Sequence, residues 1–251
     1  MSRILITGCS SGFGQAIATR FLDEGWEVIA TMRSPSTEGL PSSDLLRVLP
    51  LDVTEASSIE AALAAAGPID ALVNNAGVGM LNVLEGAEIK KARELFETNV
   101  IGTMAMTRAV MPAMRARGNG VIVNISSSVT LRTLPALSIY SASKAAVNAF
   151  TQSFALEAAE FGVRARLVLP GSAPTTSFGK NAVARMGMDV PEPYGPFVQA
   201  YFQALQNAPE KTEAGDVAGA VWRAVTDADA PMVLPAGADA ETWFQDSAFA
   251  S

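Results

Sequence analysis

The sequence predicts an α/β fold in which a doubly wound parallel sheet of about seven strands carries helices on both faces. Short runs rich in Val, Ile and Leu alternate with longer segments of helical periodicity, a pattern typical of βαβ units. The short runs are almost continuously apolar, as expected of strands that are covered on both faces. A glycine-rich turn directly follows the first run and precedes a helical segment.

The elements follow each other in that alternating order along the chain. We predict strands at 3–7, 27–31, 46–50, 70–74, 120–125, 163–169 and 231–234. We predict helices at 13–24, 55–66, 88–117, 140–161, 196–207 and 213–226, two of them capped by Thr54 and Thr212, each of which precedes an acidic residue. Because the chain shows no internal repeat or low-complexity linker, we expect one domain over 1–251.

An irregular stretch separates the first six predicted strands from the last predicted helices and strand. Residues 170–196 contain five prolines and four glycines, which interrupt any long regular element. In the helix that follows, Phe197, Tyr201 and Leu205 fall at i, i+4 and i+8 and form an apolar stripe. We expect the segment at about 172–208 to cover the substrate, and ordinary core packing of the stripe is the alternative.

The composition excludes several classes of function. The net charge of −7 repels nucleic acid and anionic membrane surfaces. A single cysteine, Cys9, rules out an intramolecular disulfide framework, and the absence of histidine excludes Ser-His-Asp hydrolysis and His-ligated metals, so we expect no metal. No apolar run approaches the ~18 residues of a membrane span, so we expect a cytoplasmic protein.

The turn after the first strand carries Gly8, Gly12 and Gly14 in the spacing G-x-x-x-G-x-G. Glycines at such a place let the backbone pass close to a phosphate at a helix N-terminus. The turn therefore indicates a dinucleotide site. The alternative is a turn whose glycines only let the helix pack tightly on the strand.

Tyr140 and Lys144 stand at i and i+4, which places the phenol and the ammonium on one helical face. A tyrosine has an ordinary pKa near 10, and a fixed cation nearby favours the phenolate, so we expect a lowered phenol pKa and a role in general acid/base catalysis. Ser127 follows the strand at 120–125, at the carboxyl end where ligands of parallel sheets bind. The alternatives are a solvated Tyr/Lys pair and an ordinary loop serine.

In combination these positions resemble the short-chain dehydrogenase/reductase family over residues 3 to 176. The matching positions are Gly8, Gly12, Gly14, Asp52, Val53, Asn74, Asn75, Ala76, Gly77, Asn99, Ser127, Tyr140, Lys144, Pro170, Gly171 and Thr175. The resemblance implies a Rossmann-type fold and an oxidoreductase that moves a hydride between a nicotinamide cofactor and a carbonyl or secondary alcohol. The chain departs from the family at Phe13, where a smaller aliphatic residue is commonest.

The resemblance also implies a role for each position. Tyr140 would give a proton to the carbonyl oxygen, Ser127 would hydrogen-bond that oxygen, Lys144 would bind the nicotinamide ribose, and Asn99 would hold a water. Cofactor contacts would come from Gly8, Ser10, Ser11, Gly12, Phe13 and Gly14 at the pyrophosphate, Asp52 and Val53 at the adenine, Asn75, Ala76 and Gly77 beside the cofactor, and Pro170, Gly171 and Thr175 at the carboxamide.

The residue after the second strand predicts the choice of cofactor. NAD-specific folds carry an acid in this region that binds the adenosine ribose, whereas this chain has Met32 and then Arg33. An arginine can bind a 2′-phosphate through two charge-assisted hydrogen bonds, which favours NADP(H) over NAD(H). Ser11 offers only a neutral hydroxyl at a position where many NADP-using relatives carry a second base. The alternative is that Arg33 is a solvated surface residue.

Two other functions remain open. One is a non-catalytic NADP(H)-sensing regulator, which would keep the fold without turnover. The other is a sugar-nucleotide epimerase or dehydratase, which normally needs a large carboxyl-terminal substrate domain, and only 107 residues follow Lys144. The opening TGCSSGFG is similar to the branch that acts on steroid-like and retinoid-like molecules, so we expect an apolar small-molecule substrate.

The two longest predicted helices suggest assembly. The windows 88–117 and 140–161 carry more apolar residues than one face of a sheet can cover, and these include Met104, Met106, Val110, Phe150 and Phe154. A homo-oligomer would bury the remainder. The resemblance implies pairing through these helices, so we expect a homodimer or homotetramer.

Overall fold

The computed structural model describes residues 1–173, 190–206 and 211–247. Seven parallel strands form one sheet in the order β3-β2-β1-β4-β5-β6-β7, which confirms the predicted fold class. The strands are β1 Arg3–Thr7, β2 Glu27–Met32, β3 Leu46–Pro50, β4 Ala71–Asn74, β5 Gly120–Ile125, β6 Val163–Pro170 and β7 Val233–Ala236. The α-helices are α1 Gly12–Asp23, α2 Ala56–Ala66, α3 Ile89–Phe96, α4 Gly102–Arg117, α5 Ser138–Ala159, α6 Gly195–Gln206, α7 Ala214–Thr226 and α8 Ala238–Gln245.

The central strands of the sheet are buried on both faces, which explains their continuous apolar runs. In β1, Ile4 and Ile6 pack with Phe21 of α1 and Val221 of α7, whereas Leu5 between them faces the opposite core. That second core contains residues of α2 and α4. Successive side chains of a strand point to opposite faces, so a strand between two helical layers has no position for a solvated residue.

Helix prediction was wrong at one place that matters for the site. The window 88–117 is divided into α3, a π-helical turn over Glu97–Ile101 and α4. The turn contains Asn99, whose side chain bonds the backbone of Val78 on a neighbouring loop. Because π-helical turns insert an extra residue into the helix, they often occur at functional positions.

The apolar excess predicted for the long helices is smaller in the structure. Met106 and Val110 of α4 are 0% and 3% exposed and pack in the molecule's own core, so these two residues need no partner chain to bury them. Met104, Phe150 and Phe154 are partly buried. Phe150 and Phe154 stack on each other with ring centres 5.7 Å apart.

The predicted helix caps were also wrong. The N-caps of α2 and α7 are Glu55 and Glu213, one residue later than expected. The Thr54 hydroxyl donates instead to Asp52 Oδ1 (2.7 Å) within the loop between β3 and α2. The hydroxyl of Thr212 instead donates to Asp239 in a buried polar cluster.

The last strand is β7, and it begins and ends two residues later than predicted. Its third residue is Pro235, a residue that is not expected inside a strand, so the prediction ended before it. β7 is an edge strand, so the missing N–H of a proline costs no ladder hydrogen bond on the open side. Helix α8, which follows directly, was not predicted. Its eight residues are too short a window for helical periodicity to stand out.

The predicted substrate-covering segment is described only in part. Residues 174–189 and 207–210, among them Thr175, and the side chain of Leu205 lie outside the described residues. Helix α6 is present, with Phe197 half exposed. The extent of a single domain and the cytoplasmic location stay predictions. No helix in the described ranges is long and apolar enough to cross a membrane.

Candidate active site

The carboxyl ends of the strands bring the predicted site residues to one edge of the sheet. The order of the strands reverses between β1 and β4, because β2 and β3 lie on one side of β1 and β5 to β7 follow β4 on the other. Such a reversal opens a crevice where ligands of α/β sheets bind. The glycine turn, the loop after β4, Ser127 and the Pro170–Gly171 pair all follow strands at this edge.

The glycine turn has the shape that a phosphate site needs. Gly8 and Gly12 have φ values of 75° and 61°, which favour glycine. A Cβ on Gly14 would collide with the carbonyl oxygen of Gly8 and lie 2.7 Å from Asn75 Nδ2. Helix α1 begins here, and its N-cap Ser11 makes no side-chain capping bond in the described structure. The turn therefore fits a dinucleotide pyrophosphate, with the helix N-terminus available to it.

The remaining residues of the turn are Cys9, Ser10 and Phe13. Ser10 is exposed, and its carbonyl oxygen accepts a hydrogen bond from Gln15 Nε2 (3.2 Å). Phe13 packs partly buried against the core beside α1, so the departure from the family pattern adds core contact. Cys9 is fully buried, and burial raises the pKa of its thiol to about 12. A thiol with so little thiolate is a packing residue.

Asn75 fastens the turn to β4. Its Nδ2 donates to the carbonyl oxygens of Thr7 (2.9 Å) and Gly8 (3.0 Å). Thr7 Oγ1 in turn accepts from the backbone N–H groups of Asn75 (3.0 Å) and Ala76 (2.9 Å). The Asn75 amide is thus committed to holding the backbone of the turn. Thr7 was not singled out from the sequence, although it directly precedes the first glycine.

A buried polar row crosses the sheet behind the site. Asn74 Nδ2 donates to Asn124 Oδ1 of β5 (2.8 Å) and to Thr107 Oγ1 of α4 (3.1 Å). Asn124 Nδ2 donates to Thr151 Oγ1 of α5 (2.8 Å). The row connects both helices to the sheet, and sequence reasoning missed its last three members. An asparagine inside the apolar strand 120–125 was the available signal.

Ser127 and Tyr140 come together although thirteen residues separate them. Ser127 follows β5, and Tyr140 lies in the first turn of α5, 6% exposed. The Ser127 hydroxyl hydrogen-bonds the phenol. Burial raises the pKa of Tyr140, and the bond to Ser127 only partly opposes that effect. The expectation of a lowered phenol pKa was therefore wrong for the protein by itself.

Lys144 lies on the same face of α5, as the i, i+4 spacing predicted. Its Nζ is 5.9 Å from the centre of the Tyr140 ring and donates to the carbonyl oxygen of Ile125 (2.9 Å). The side chain is 5% exposed. Burial lowers the pKa of Lys144 to about 8. The ammonium is thus held beside the phenol by a backbone carbonyl, in surroundings that disfavour its charge.

Asn99 supports this pair from the π-helical turn. Its Oδ1 accepts from Val78 N–H (2.8 Å), and its Nδ2 donates to the Val78 carbonyl (2.9 Å) and to Ser143 Oγ (3.3 Å). Ser143 Oγ donates to the Tyr140 carbonyl (2.7 Å), so Asn99 is coupled to the helix turn that carries the phenol. Sequence reasoning missed Ser143. A Cβ on Gly77 would lie 3.3 Å from Asn99 Oδ1 and 3.6 Å from Lys144 Nζ, so glycine leaves the space between them open.

The predicted adenosine end lies across the sheet. Arg33 is exposed directly after β2, and Asp52 follows the neighbouring β3. Partial burial would raise the pKa of Asp52, but hydrogen bonds from Thr54 and the charge of Arg33 hold it below its usual range. Val53 is buried against Gly102, where a Cβ would lie 2.7 Å from Val53 Cγ2.

The opposite end of the crevice is formed by Pro170 and Gly171. Gly171 N–H donates to the Ala236 carbonyl (3.2 Å) and to Thr212 Oγ1 (3.0 Å). The turn is therefore bound to the segment before α7 and to the last residue of β7. Across the described ranges, no group of three or more His, Cys, Asp or Glu side chains could hold a metal ion.

Comparisons with known proteins agree with this arrangement. The family model described as short chain dehydrogenase matches residues 2–185. An uncharacterized oxidoreductase, YusZ, of Bacillus subtilis is 35% identical over 237 residues, which cover 88% of this chain and 84% of that protein. Retinol dehydrogenase 8 of Bos taurus is 35% identical over 189 residues, which cover 70% of this chain but only 61% of that protein.

Solved structures give the same result. A short-chain dehydrogenase from Streptomyces avermitilis has a TM-score of 0.84 and 34% identity, over 98% of this chain and 91% of that one. A serine dehydrogenase in closed form with NADP+ has a TM-score of 0.78 and 30% identity, over 94% of each chain. The chain therefore belongs to the short-chain dehydrogenase/reductase family.

Proposed function

We propose that the protein is an NADP(H)-dependent oxidoreductase that transfers a hydride between nicotinamide and a carbonyl or secondary alcohol, with Tyr140 as general acid and base. The family is one of oxidoreductases that act on such groups. The observation that carries the proposal is the buried hydrogen-bonded pair of Tyr140 and Ser127 above Lys144 Nζ, at the carboxyl edge that also holds the glycine turn.

In the reductive direction, a bound nicotinamide supplies the hydride. Tyr140 gives its phenolic proton to the carbonyl oxygen, and Ser127 donates a hydrogen bond to the same atom, so the charge that develops there is stabilised by two hydroxyls. Lys144 holds the cofactor ribose and keeps a proton within the site. Asn99 positions the pair through Val78 and Ser143.

The side chains around the phenol favour an apolar substrate. Met80 and Leu95 are buried against Tyr140, and Val129, Leu137 and Ile139 pack partly buried beside them. Apolar walls with a few convergent polar groups are typical of small-molecule sites. The similarity to a retinol dehydrogenase supports the same substrate class.

Replacement of the acid tests the proposal directly. Tyr140→Phe removes the transferable proton but keeps the ring, so we expect kcat for a reactive ketone to fall ~100-fold or more while NADPH affinity is retained. Steady-state kinetics measures kcat, and fluorescence titration measures the affinity for NADPH. Activity above about a tenth of wild type contradicts the role of Tyr140, and wild-type binding without turnover of any carbonyl or alcohol favours the sensing regulator.

The burial of Lys144 predicts a pH dependence of stability. Between about pH 8 and its ordinary pKa of 10.5, the unfolded chain binds a proton at Lys144 that the folded chain lacks, so stability rises with pH in this window. The free energy of unfolding of wild type, minus that of Lys144→Met, should rise by roughly 2 kcal/mol from pH 7.5 to 9.5. Urea titrations at both pH values check this, and a flat or falling difference contradicts it.

Arg33 is proposed to select the 2′-phosphate. Losing a charged hydrogen-bond partner costs ~1.5–3 kcal/mol, so Arg33→Ala should weaken NADPH by roughly 10- to 150-fold and leave NADH nearly unchanged. Arg47→Ala is the matched control, because Arg47 is an exposed arginine of β3 far from the carboxyl edge. Equal losses for both cofactors in Arg33→Ala would show that Arg33 does not recognise the phosphate.

We propose a homodimer or homotetramer that covers the outer side of α5. Leu156 is 75% exposed there, and Phe161 follows the helix at 46% exposure. Exposed apolar side chains that form a contiguous patch mark association surfaces. Light scattering at micromolar concentration should give two or four chains, and Leu156→Asp should shift the mass toward one chain. A wild-type monomer rejects the assembly.

A further inference from the structure

Three separated segments meet in a buried polar cluster behind the Pro170–Gly171 pair. They are the turn at 170–172, residue 212 before α7 and residues 236–239 at the end of β7 and the start of α8. Thr212 is 1% exposed and Asp239 is 4% exposed, although neither residue was expected to belong to the site. Buried polar groups keep their place through hydrogen bonds, so the partners of these two side chains define what the cluster holds.

Both side chains bond the turn and also bond each other. Asp239 Oδ2 accepts from Ser172 N–H (2.6 Å), and Asp239 Oδ1 accepts from Thr212 Oγ1 (2.7 Å). Thr212 Oγ1 also accepts from Gly171 N–H (3.0 Å), and Thr212 N–H donates to the Ser172 carbonyl (2.8 Å). The backbone N–H of Gly171 therefore binds the Thr212 side chain, and the next N–H, that of Ser172, binds the Asp239 side chain.

The two side chains leave no room for a Cβ at two neighbouring positions, and both positions are glycine. A Cβ on Gly171 would collide with the Asp239 carboxylate, and a Cβ on Gly237 would collide with the Thr212 side chain. Gly237 also has a φ of 100°, which favours glycine. The backbone of the turn is thus shaped directly around the carboxylate.

The carboxylate is held by neutral donors. Among the salt bridges of the described residues none involves Asp239, whose partners are a backbone N–H and a hydroxyl. Asp239 is the second residue of α8, where the helix dipole favours a negative charge. A buried anion with directional neutral donors fixes geometry, because losing either donor leaves it under-solvated.

The helix that carries Asp239 is itself fixed to the catalytic side of the molecule. Phe244 packs partly buried against the cluster that contains Leu167 and Leu169 of β6, and Leu131 of the loop that begins at Ser127 packs against the same cluster. The guanidinium of Arg132 lies 5.1 Å from the centre of the Trp243 ring. Helix α8 therefore connects the Pro170–Gly171 turn with the loop of Ser127.

We propose that Asp239, together with Thr212, is a positioning residue that holds the Pro170–Gly171–Ser172 turn in place at the nicotinamide end of the cofactor site. The inference rests on the proposed function and on the family resemblance, which implies that Pro170 and Gly171 meet the nicotinamide carboxamide. The adenosine end lies beside β2, four strands away from β6 and hence roughly 19 Å distant. Loss of the cluster should therefore weaken the whole dinucleotide but not its adenosine half.

The experiment uses full-length Asp239→Ala and Thr212→Val, their conservative partners Asp239→Asn and Thr212→Ser, and Asp246→Ala as the control. Asp246 is exposed just after α8, so its replacement removes the same charge outside the cluster. In Asp239→Asn the amide oxygen still accepts from Ser172 N–H. The amide nitrogen can donate to Thr212 Oγ1. The Thr212 hydroxyl can then donate to the Ala236 carbonyl, which is 2.9 Å away. Thr212→Ser keeps the hydroxyl.

Calorimetry measures the affinities for NADPH and for 2′,5′-ADP, which contains only the adenosine end. We expect Asp239→Ala and Thr212→Val to weaken NADPH at least tenfold, to lower kcat at least tenfold, and to leave 2′,5′-ADP within twofold of wild type. Hydrogen exchange of a peptide over 167–173 should become at least tenfold faster without any ligand. The conservative variants and Asp246→Ala should stay within threefold of wild type in all measurements.

Two results overturn the proposal. One is unchanged exchange and NADPH affinity in Asp239→Ala, and the other is an equal loss of NADPH and 2′,5′-ADP, which indicates general destabilisation. If Asp239→Ala does not fold, the Thr212→Val and Thr212→Ser pair decides by the same criteria. If the wild type prefers NADH, then NADH and ADP replace the two probes. The exchange and binding measurements stand without turnover, so failure of the proposed activity is seen separately.

Discussion

The hydrogen bonds between Asn75 and the backbone of Thr7 and Gly8 are the interaction on which the rest of the site depends. They join the two strands between which the sheet reverses its order, and they hold the glycine turn against the loop after β4. That loop continues to Gly77, next to Lys144 Nζ, and to Val78, which binds Asn99. One side-chain amide thus sets the distance between the phosphate-binding turn and the groups around Tyr140.

Burial acts in the same direction on the two titratable groups of the site. It raises the pKa of Tyr140 and lowers that of Lys144, so each is biased toward its neutral form. Ser127 hydrogen-bonds the phenol, and the Ile125 carbonyl accepts from the ammonium. These two contacts determine where the proton-bearing atoms point. Such a site offers fixed dipoles in a poorly hydrated space, which is the condition under which hydroxyl donors stabilise a developing oxyanion most strongly.

The sheet and the motif residues could be predicted from the sequence because each produces a local signal. Apolar runs mark β1 to β6, and an i, i+4 pair marks one helical face. The break at Asn99, the burial of Met106 and the raised pKa of Tyr140 depend on what packs against them, which no local pattern encodes. The same holds for Asp239 and Thr212, whose partners are 24 to 67 positions away in the chain.

The prolines of the edge strands have a consequence for how copies of the chain can meet. Leu51 N–H donates inward to Met32, and the Ala236 carbonyl accepts from Gly171, so the alternate positions Pro50 and Pro235 face outward from β3 and β7. Each removes a donor that a foreign strand would need. Both open borders of the sheet are therefore poor templates for strand addition or fibrillar stacking, and self-association is directed to the helical surfaces.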